Sequence, residues 1–142
     1  ELHRIPFIGW GLALLRMIPI DRSRGREAFD QVIRIGRQRL EEGRWPLLFP
    51  EGTRMAPGKT GRYKMGGTLL AEATRAPVVP IAHNAGELWP RNAFLKKPGV
   101  ITVSVGPPIP TEGLTAAEIN EKVQAWIEAE MRVLNPERYG NG

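Results

Sequence analysis

"LLFPEGTRMAPGKTGRYKMGG", Leu47 to Gly67, sets a short apolar run ahead of glycines and basic residues. Two phosphate-binding devices compete for this stretch. One is the nucleotide P-loop, G-x-x-x-x-G-K-[ST], whose glycines let backbone N–H groups wrap the phosphates just before a helix begins. Gly58-Lys59-Thr60 supplies its tail, but the leading glycine would have to stand where Thr53 is. Gly52 falls one residue early, Pro57 lacks an N–H, and "GRYKMGG" does not look like a helix start. "APGKTG" is therefore read as an exposed turn.

The other device is "FPEGTR", Phe49 to Arg54. Phe49 ends a strand, Pro50 fixes the exit, and Gly52 permits a tight turn that presents Arg54. There the planar guanidinium can grip a phosphate with two hydrogen bonds. Glu51 can orient that guanidinium or bond a polyol hydroxyl. A plain surface turn with a solvated Glu51–Arg54 pair of small energetic worth explains the same letters, and spacing alone favours it. Two more cations bear on the choice: Arg22, closing "MIPIDR", and Lys64, ten residues beyond Arg54. Three cations from separate segments can converge on one anion.

Outward from this stretch, helical and strand-like segments alternate. Arg26 to Glu42 carries Phe29, Val32, Ile33, Gly36 and Leu40 at the spacing of a one-faced helix, with Gly43 as its stop. "PLLF", Pro46 to Phe49, is the all-apolar run of a central strand covered on both faces. A helix is predicted from about Gly67 to Ala76, ended by Pro77. Val78 to Asn84 follows as a strand whose Pro80 implies a bulge or an edge. Val100 to Gly106 alternates apolar and polar, the pattern of a strand with one solvated face. Ala116 to Leu134 is predicted as a helix with a Thr115/Glu118 capping box and a stripe of Ile119, Val123, Trp126, Ile127 and Leu134. This rhythm argues for an α/β domain with a mainly parallel central sheet flanked by helices. In such sheets ligands bind beyond the carboxyl ends of strands, where "IDR" and "FPEGTR" both fall.

With 142 residues the chain has the length of one domain, and its composition is globular. It contains no cysteine, which excludes disulfides and thiolate metal sites and fits a reducing compartment. A net charge of +5 points to an anionic partner: nucleic acid, a phospholipid surface or a phosphorylated substrate. Aromatics are few and not interleaved with the basic residues, which argues against nucleic acid. Ser23 and Ser104 are the only serines, and neither sits in G-x-S-x-G, which argues against a serine hydrolase. The uncharged run Ile5 to Leu15 falls short of the ~20 apolar residues of a membrane span. It fits either a buried helix or an interfacial one anchored by Phe7 and Trp10 between Arg4 and Arg16.

Taken together, "MIPIDR", "FPEGTR" with "RYKMGG", and "APVVPIAHN" (Ala76 to Asn84) resemble the second, third and fourth sequence blocks of the glycerolipid acyltransferases. The likeness is specifically to the 1-acyl-sn-glycerol-3-phosphate (lysophosphatidate) acyltransferases, PlsC-like proteins, and it runs in order to about residue 110. It implies a glycerol-3-phosphate acyltransferase-like fold, with residues 1–142 as one acyltransferase domain. It also implies acyl transfer from acyl-CoA or acyl carrier protein to the sn-2 hydroxyl of lysophosphatidate, giving phosphatidate. No metal or cofactor is expected beyond the acyl thioester co-substrate. By resemblance Arg22, Arg54 and Lys64 hold the acceptor phosphate, while Glu51, Gly52 and Thr53 shape the glycerol-phosphate pocket. The expected setting is the cytoplasmic face of the cell membrane, with lysophosphatidate, the acyl thioester and the bilayer surface as partners and no nucleic acid.

One family block has no match. Its His-x4-Asp supplies a general base and the carboxylate that orients it. The only histidines here are His3 and His83, and the residues at the required spacing are Ile8 and Leu88. Both histidines are read as structural or surface residues. The expectation is a stretch that begins after the catalytic block, carries no catalytic residue of its own, and has little activity alone.

Overall fold

Residues 26–139 are described by a computed structural model, which divides into two units between Pro46 and Leu47. The predicted helix at Ile5–Leu15 and the block Met17–Arg22, together with His3, lie outside the described residues. In the first unit, α1 spans Arg26–Glu41 with Val32 and Gly36 buried on the predicted stripe. Gly43, at φ +72°, ends it: its N–H donates to Leu40 O at 2.9 Å, and Arg44 N–H donates to Arg39 O at 2.8 Å. Only glycine takes that left-handed conformation without strain.

The second unit holds α2 (Gly66–Thr74), β1 (Ile81–His83), α3 (Ala85–Leu88), β2 (Val103–Val105), α4 (Ala116–Leu134) and α5 (Pro136–Tyr139). The amphipathic α4 organises it, packing against both α2 and β1. Its boundaries are those the sequence predicts, because the signals are local. The Thr115 hydroxyl accepts from Glu118 N–H, while the Glu118 carboxylate accepts from Thr115 N–H at 2.8 Å. Ile119 and Val123 pack with Tyr63 at the centre of the core, against Val78, Ile109, Leu114 and Ile127. Trp126 belongs to the same layer, and a Cβ on Gly106 would lie 2.6 Å from its ring.

The sheet departs from expectation. β1 and β2 pair antiparallel, Ile81 with Val105, Ala82 with Ser104 and His83 with Val103. An antiparallel bridge between Val78 and Ile109 extends the ladder beyond Pro80, whose missing N–H interrupts it as foreseen. No parallel pair occurs among the described residues, so the mainly parallel sheet is not found there. The run at Leu47–Phe49 is no paired strand among them either. Leu48 faces inward, its Cδ1 3.1 Å from where a Cβ on Gly67 would stand. Leu47 and Phe49 are 73% and 71% exposed, so the run is covered on one side only. β2 does have one solvated face, but it is the apolar one. Val103 and Val105 point outward, while Ser104 turns in and donates to Glu130 at 2.7 Å.

Candidate functional site

Gly52 N–H donates to Phe49 O at 3.0 Å and closes the turn after Phe49, with Gly52 at φ +66°. The chain then loops out and returns, and Lys64 N–H donates to Pro50 O at 2.8 Å. That return lays the Lys64 side chain over the turn: its Nζ lies 2.9 Å from where a Cβ on Gly52 would stand. Glycine at 52 therefore serves twice, supplying the backbone angle and leaving the ammonium room beside the main chain. Thr53 and Arg54 follow the turn, both exposed. Neither Arg54 nor Lys64 forms an ion pair among the described residues. The structure thus brings Lys64 to Gly52 and leaves Arg54 exposed, with no ion pair among the described residues. Arg22, the third expected cation, lies outside the described residues.

Glu51 does not orient Arg54. Its half-buried carboxylate lies beside the backbone amide of Gly61. Burial raises its pKa above the ordinary glutamate value, the Gly61 amide works against that rise, and the charge of Glu128 adds to it. Glu128, on α4, accepts the Thr60 hydroxyl at 2.7 Å and the Tyr63 phenol at 3.1 Å. Burial pushes the Tyr63 phenol far above its ordinary range, and Glu128 pushes it further. Tyr63 stays a neutral donor anchored in the core.

The glycine-lysine-threonine tail is a turn, as read from the sequence. Lys59 N–H donates to Ala56 O at 3.0 Å, Gly58 sits at φ +81°, and no helix begins between this turn and Gly66. A Cβ on Gly58 would stand 2.8 Å from the backbone oxygen of Arg138, so the turn lies tight against α5. The Tyr139 phenol has its pKa raised by burial and by the carboxylates around it, against a lowering by the nearby Gly58 amide.

Sequence reasoning missed Glu128 and with it the structural use of Thr60 and Tyr63. Glu128 lies nine residues beyond Ile119, about two and a half helical turns, so periodicity assigns it to solvent. Its reach to Thr60 and Tyr63 spans long sequence separations that no local pattern carries. His83 behaves as expected, exposed on β1 with its Nδ1 accepting Ala85 N–H at 3.3 Å. Among the described residues no cluster of His, Asp and Glu could hold a metal ion, and no helix is long and apolar enough to cross a membrane. The site offers cations for an anionic ligand, on a turn whose far side is tied to the core.

Comparison with known proteins gives a consistent picture. Residues 1–84 match the sequence signature of the family described as Acyltransferase. The 1-acyl-sn-glycerol-3-phosphate acyltransferase of Pseudomonas aeruginosa is 45% identical over 139 residues, covering 96% of this chain and 54% of that protein. Its namesake in Saccharomyces cerevisiae is 32% identical over 125 residues, covering 85% of this chain and 41% of that protein. The crystal structure of the 1-acyl-sn-glycerophosphate (LPA) acyltransferase PlsC from Thermotoga maritima superposes with a TM-score of 0.79 at 25% identity. It covers 94% of this chain and 54% of that one. The chain spans about half the length of the curated relatives it matches.

Proposed function

The chain belongs to the acyltransferase family, and from that premise we propose that it forms the acceptor-binding part of a lysophosphatidate acyltransferase. The observation that carries the reading is Lys64 laid over the Gly52 turn, with Arg54 two residues beyond it and both cations without a carboxylate partner among the described residues. A phosphate monoester suits that pair. Arg54 can bind it with a two-pronged fork, Lys64 adds a compact charge, and Arg22 adds a third cation in this reading. Gly52 and Thr53 line the glycerol side, with Glu51 behind them, beside Gly61.

In the proposed reaction the sn-2 hydroxyl of 1-acyl-glycerol-3-phosphate attacks the thioester carbonyl of acyl-CoA or acyl carrier protein. The carbon–sulfur bond breaks, the new ester is phosphatidate, and the hydroxyl proton passes through a base to the departing thiolate. In the family that base is the histidine of the His-x4-Asp block, and neither His3 nor His83 has an aspartate at that spacing. Fixing the phosphate fixes the distance of the sn-2 oxygen from the thioester, which is this chain's share of catalysis. No metal or other cofactor is required for these steps. The reaction belongs at the cytoplasmic surface of the membrane, where acceptor and product reside. In this reading Leu47–Phe49 is a strand of a mainly parallel sheet, as the alternating rhythm of elements suggests.

The test is Arg54→Ala and Lys64→Ala in the whole protein, with initial rates measured against each substrate. Arg54→Ala should weaken transition-state binding by about 2–4 kcal/mol, the loss typical of a charged hydrogen-bond partner. Most of it should be seen as a raised KM for lysophosphatidate, with the KM for the acyl donor little changed. Unchanged kcat and lysophosphatidate KM in both variants would reject the phosphate role.

A further inference from the structure

We propose that the connection from α3 to β2, Trp89–Thr102, is a membrane-contact loop that sets Phe94 and Leu95 into the interface of an anionic phospholipid bilayer. The loop is pinned at its base. Asn84 N–H donates to Thr102 O at 3.3 Å, Thr102 N–H to Asn84 Oδ1 at 2.8 Å, and Lys97 N–H to Leu88 O at 2.8 Å. Above these bonds the tip turns through Pro90–Ala93, with Asn92 at φ +61°. Phe94 is 94% exposed and Leu95 80% exposed. Two adjacent large apolar side chains so bare are costly in water unless something covers them.

The charge around the tip says what covers it. Arg91, Lys96 and Lys97 are all exposed, and no aspartate or glutamate occurs between Leu88 and Thr111. The Lys96 ammonium sits 4.5 Å from the ring centre of Trp89. A dry protein interface would strip water from three cations that have no carboxylate partner among the described residues, at a high cost. A bilayer interface has no such conflict. Phe94 and Leu95 reach the acyl boundary, the cations stay among headgroup phosphates, and Trp89 takes the interfacial level that indole rings favour.

The outward face of β1 and β2 differs. Ile81, Val103 and Val105 are exposed there too, but that face has no flanking lysine or arginine of its own strands. Bare apolar surface alone does not select the bilayer; its combination with cations does. Choosing a bilayer over other anionic surfaces rests on the lipid acceptor proposed above, whereas assigning the contact to this loop does not.

The chain has no cysteine, so Leu95→Cys provides a single thiol for an environment-sensitive label. Glu121→Cys, on the exposed side of α4, is the control. The probe is a vesicle of phosphatidylcholine with about a third phosphatidylglycerol, doped with nitroxide lipid and compared with pure phosphatidylcholine. The label at 95 should shift to the blue and be quenched by the nitroxide in anionic vesicles, while the label at 121 does neither. Phe94→Ser combined with Leu95→Ser should lower vesicle flotation by about tenfold or more, and added salt should lower it for the wild type. Flotation that is unchanged in the double variant overturns the loop assignment and leaves the membrane reading intact. A wild-type chain that does not float overturns the loop proposal, whereas the lysophosphatidate kinetics above test the function separately. A blue shift without vesicles that grows with protein concentration would assign the tip to a second copy of the chain, and would also overturn it.

Discussion

Two connections in the second unit are built from nearly the same letters and have opposite characters. Pro50–Lys64 and Trp89–Thr102 both carry proline, lysine and arginine, and neither contains a helix or a strand. The first is stitched along its length. Gly52 bonds Phe49, Lys64 bonds Pro50, Thr60 and Tyr63 bond Glu128, and Gly58 rests on Arg138. The second is tied only near its base, and its tip carries bare apolar side chains. Composition does not separate the proposed anion site from the proposed contact surface. What separates them is whether the core extends an acceptor such as Glu128 into the loop.

Gly58→Ala should strain this contrast most. The new Cβ would meet the backbone oxygen of Arg138 at 2.8 Å, and φ +81° is strained for any L side chain. Backbone atoms cannot swing aside as a side chain can. A loss of about 2–4 kcal/mol is expected in urea unfolding. A loss below about 0.5 kcal/mol, within the range of ordinary surface changes, would mean the first loop is no better anchored than the second.

Next in size is the Glu128 pair. Tyr63→Phe and Thr60→Ala each remove one donor to the same carboxylate, and each should lower stability by about 1–2 kcal/mol. Their double variant should depart from additivity, because the two donors share one partner. Strict additivity would show that Glu128 does not couple them.

Glu51 supplies a smaller effect with a definite sign. Its pKa is raised in the folded protein by burial first, so the fold binds its proton more tightly than the unfolded chain does. Its contribution to stability is fully present below the ordinary value of 4.5 and is lost as pH rises through the raised folded value. Glu51→Gln removes that dependence. The wild type should therefore lose stability relative to the variant as pH rises through this window, measured by urea unfolding at a series of pH values. The opposite slope would place Glu51 in an ion pair, as in the plain-turn reading of "FPEGTR".

These residues also show where the sequence was legible. The limits of α4 and its Thr115/Glu118 cap follow from signals within a few residues of each other, and the structure repeats them. The family blocks pointed to the site loop, and the Gly52–Lys64 contact lies within it. The face of β2 was not legible, because alternation fixes a period of two and not which face turns inward. What decides it is Glu130, three turns along α4 from Ile119 and inside the apolar stripe, which draws Ser104 toward the helix. The pairing direction of the strands was not legible either. It depends on contacts between distant segments, and a rhythm of alternating elements does not specify them.

The smallest expected effect tests the comparison from its other side. Phe94→Ser with Leu95→Ser removes two large apolar side chains, a change that costs several kcal/mol when they are buried in a core. Here both are almost fully exposed, so the folded and unfolded chains hydrate them alike and little free energy of folding is at stake. Stability in urea should stay within about 0.5 kcal/mol of the wild type. A loss of a kilocalorie or more would mean that the tip packs onto the protein in solution. The two loops would then differ in degree rather than in kind. An unchanged unfolding curve together with weakened vesicle binding separates them cleanly: one loop's side chains serve the fold, and the other's serve a surface outside it.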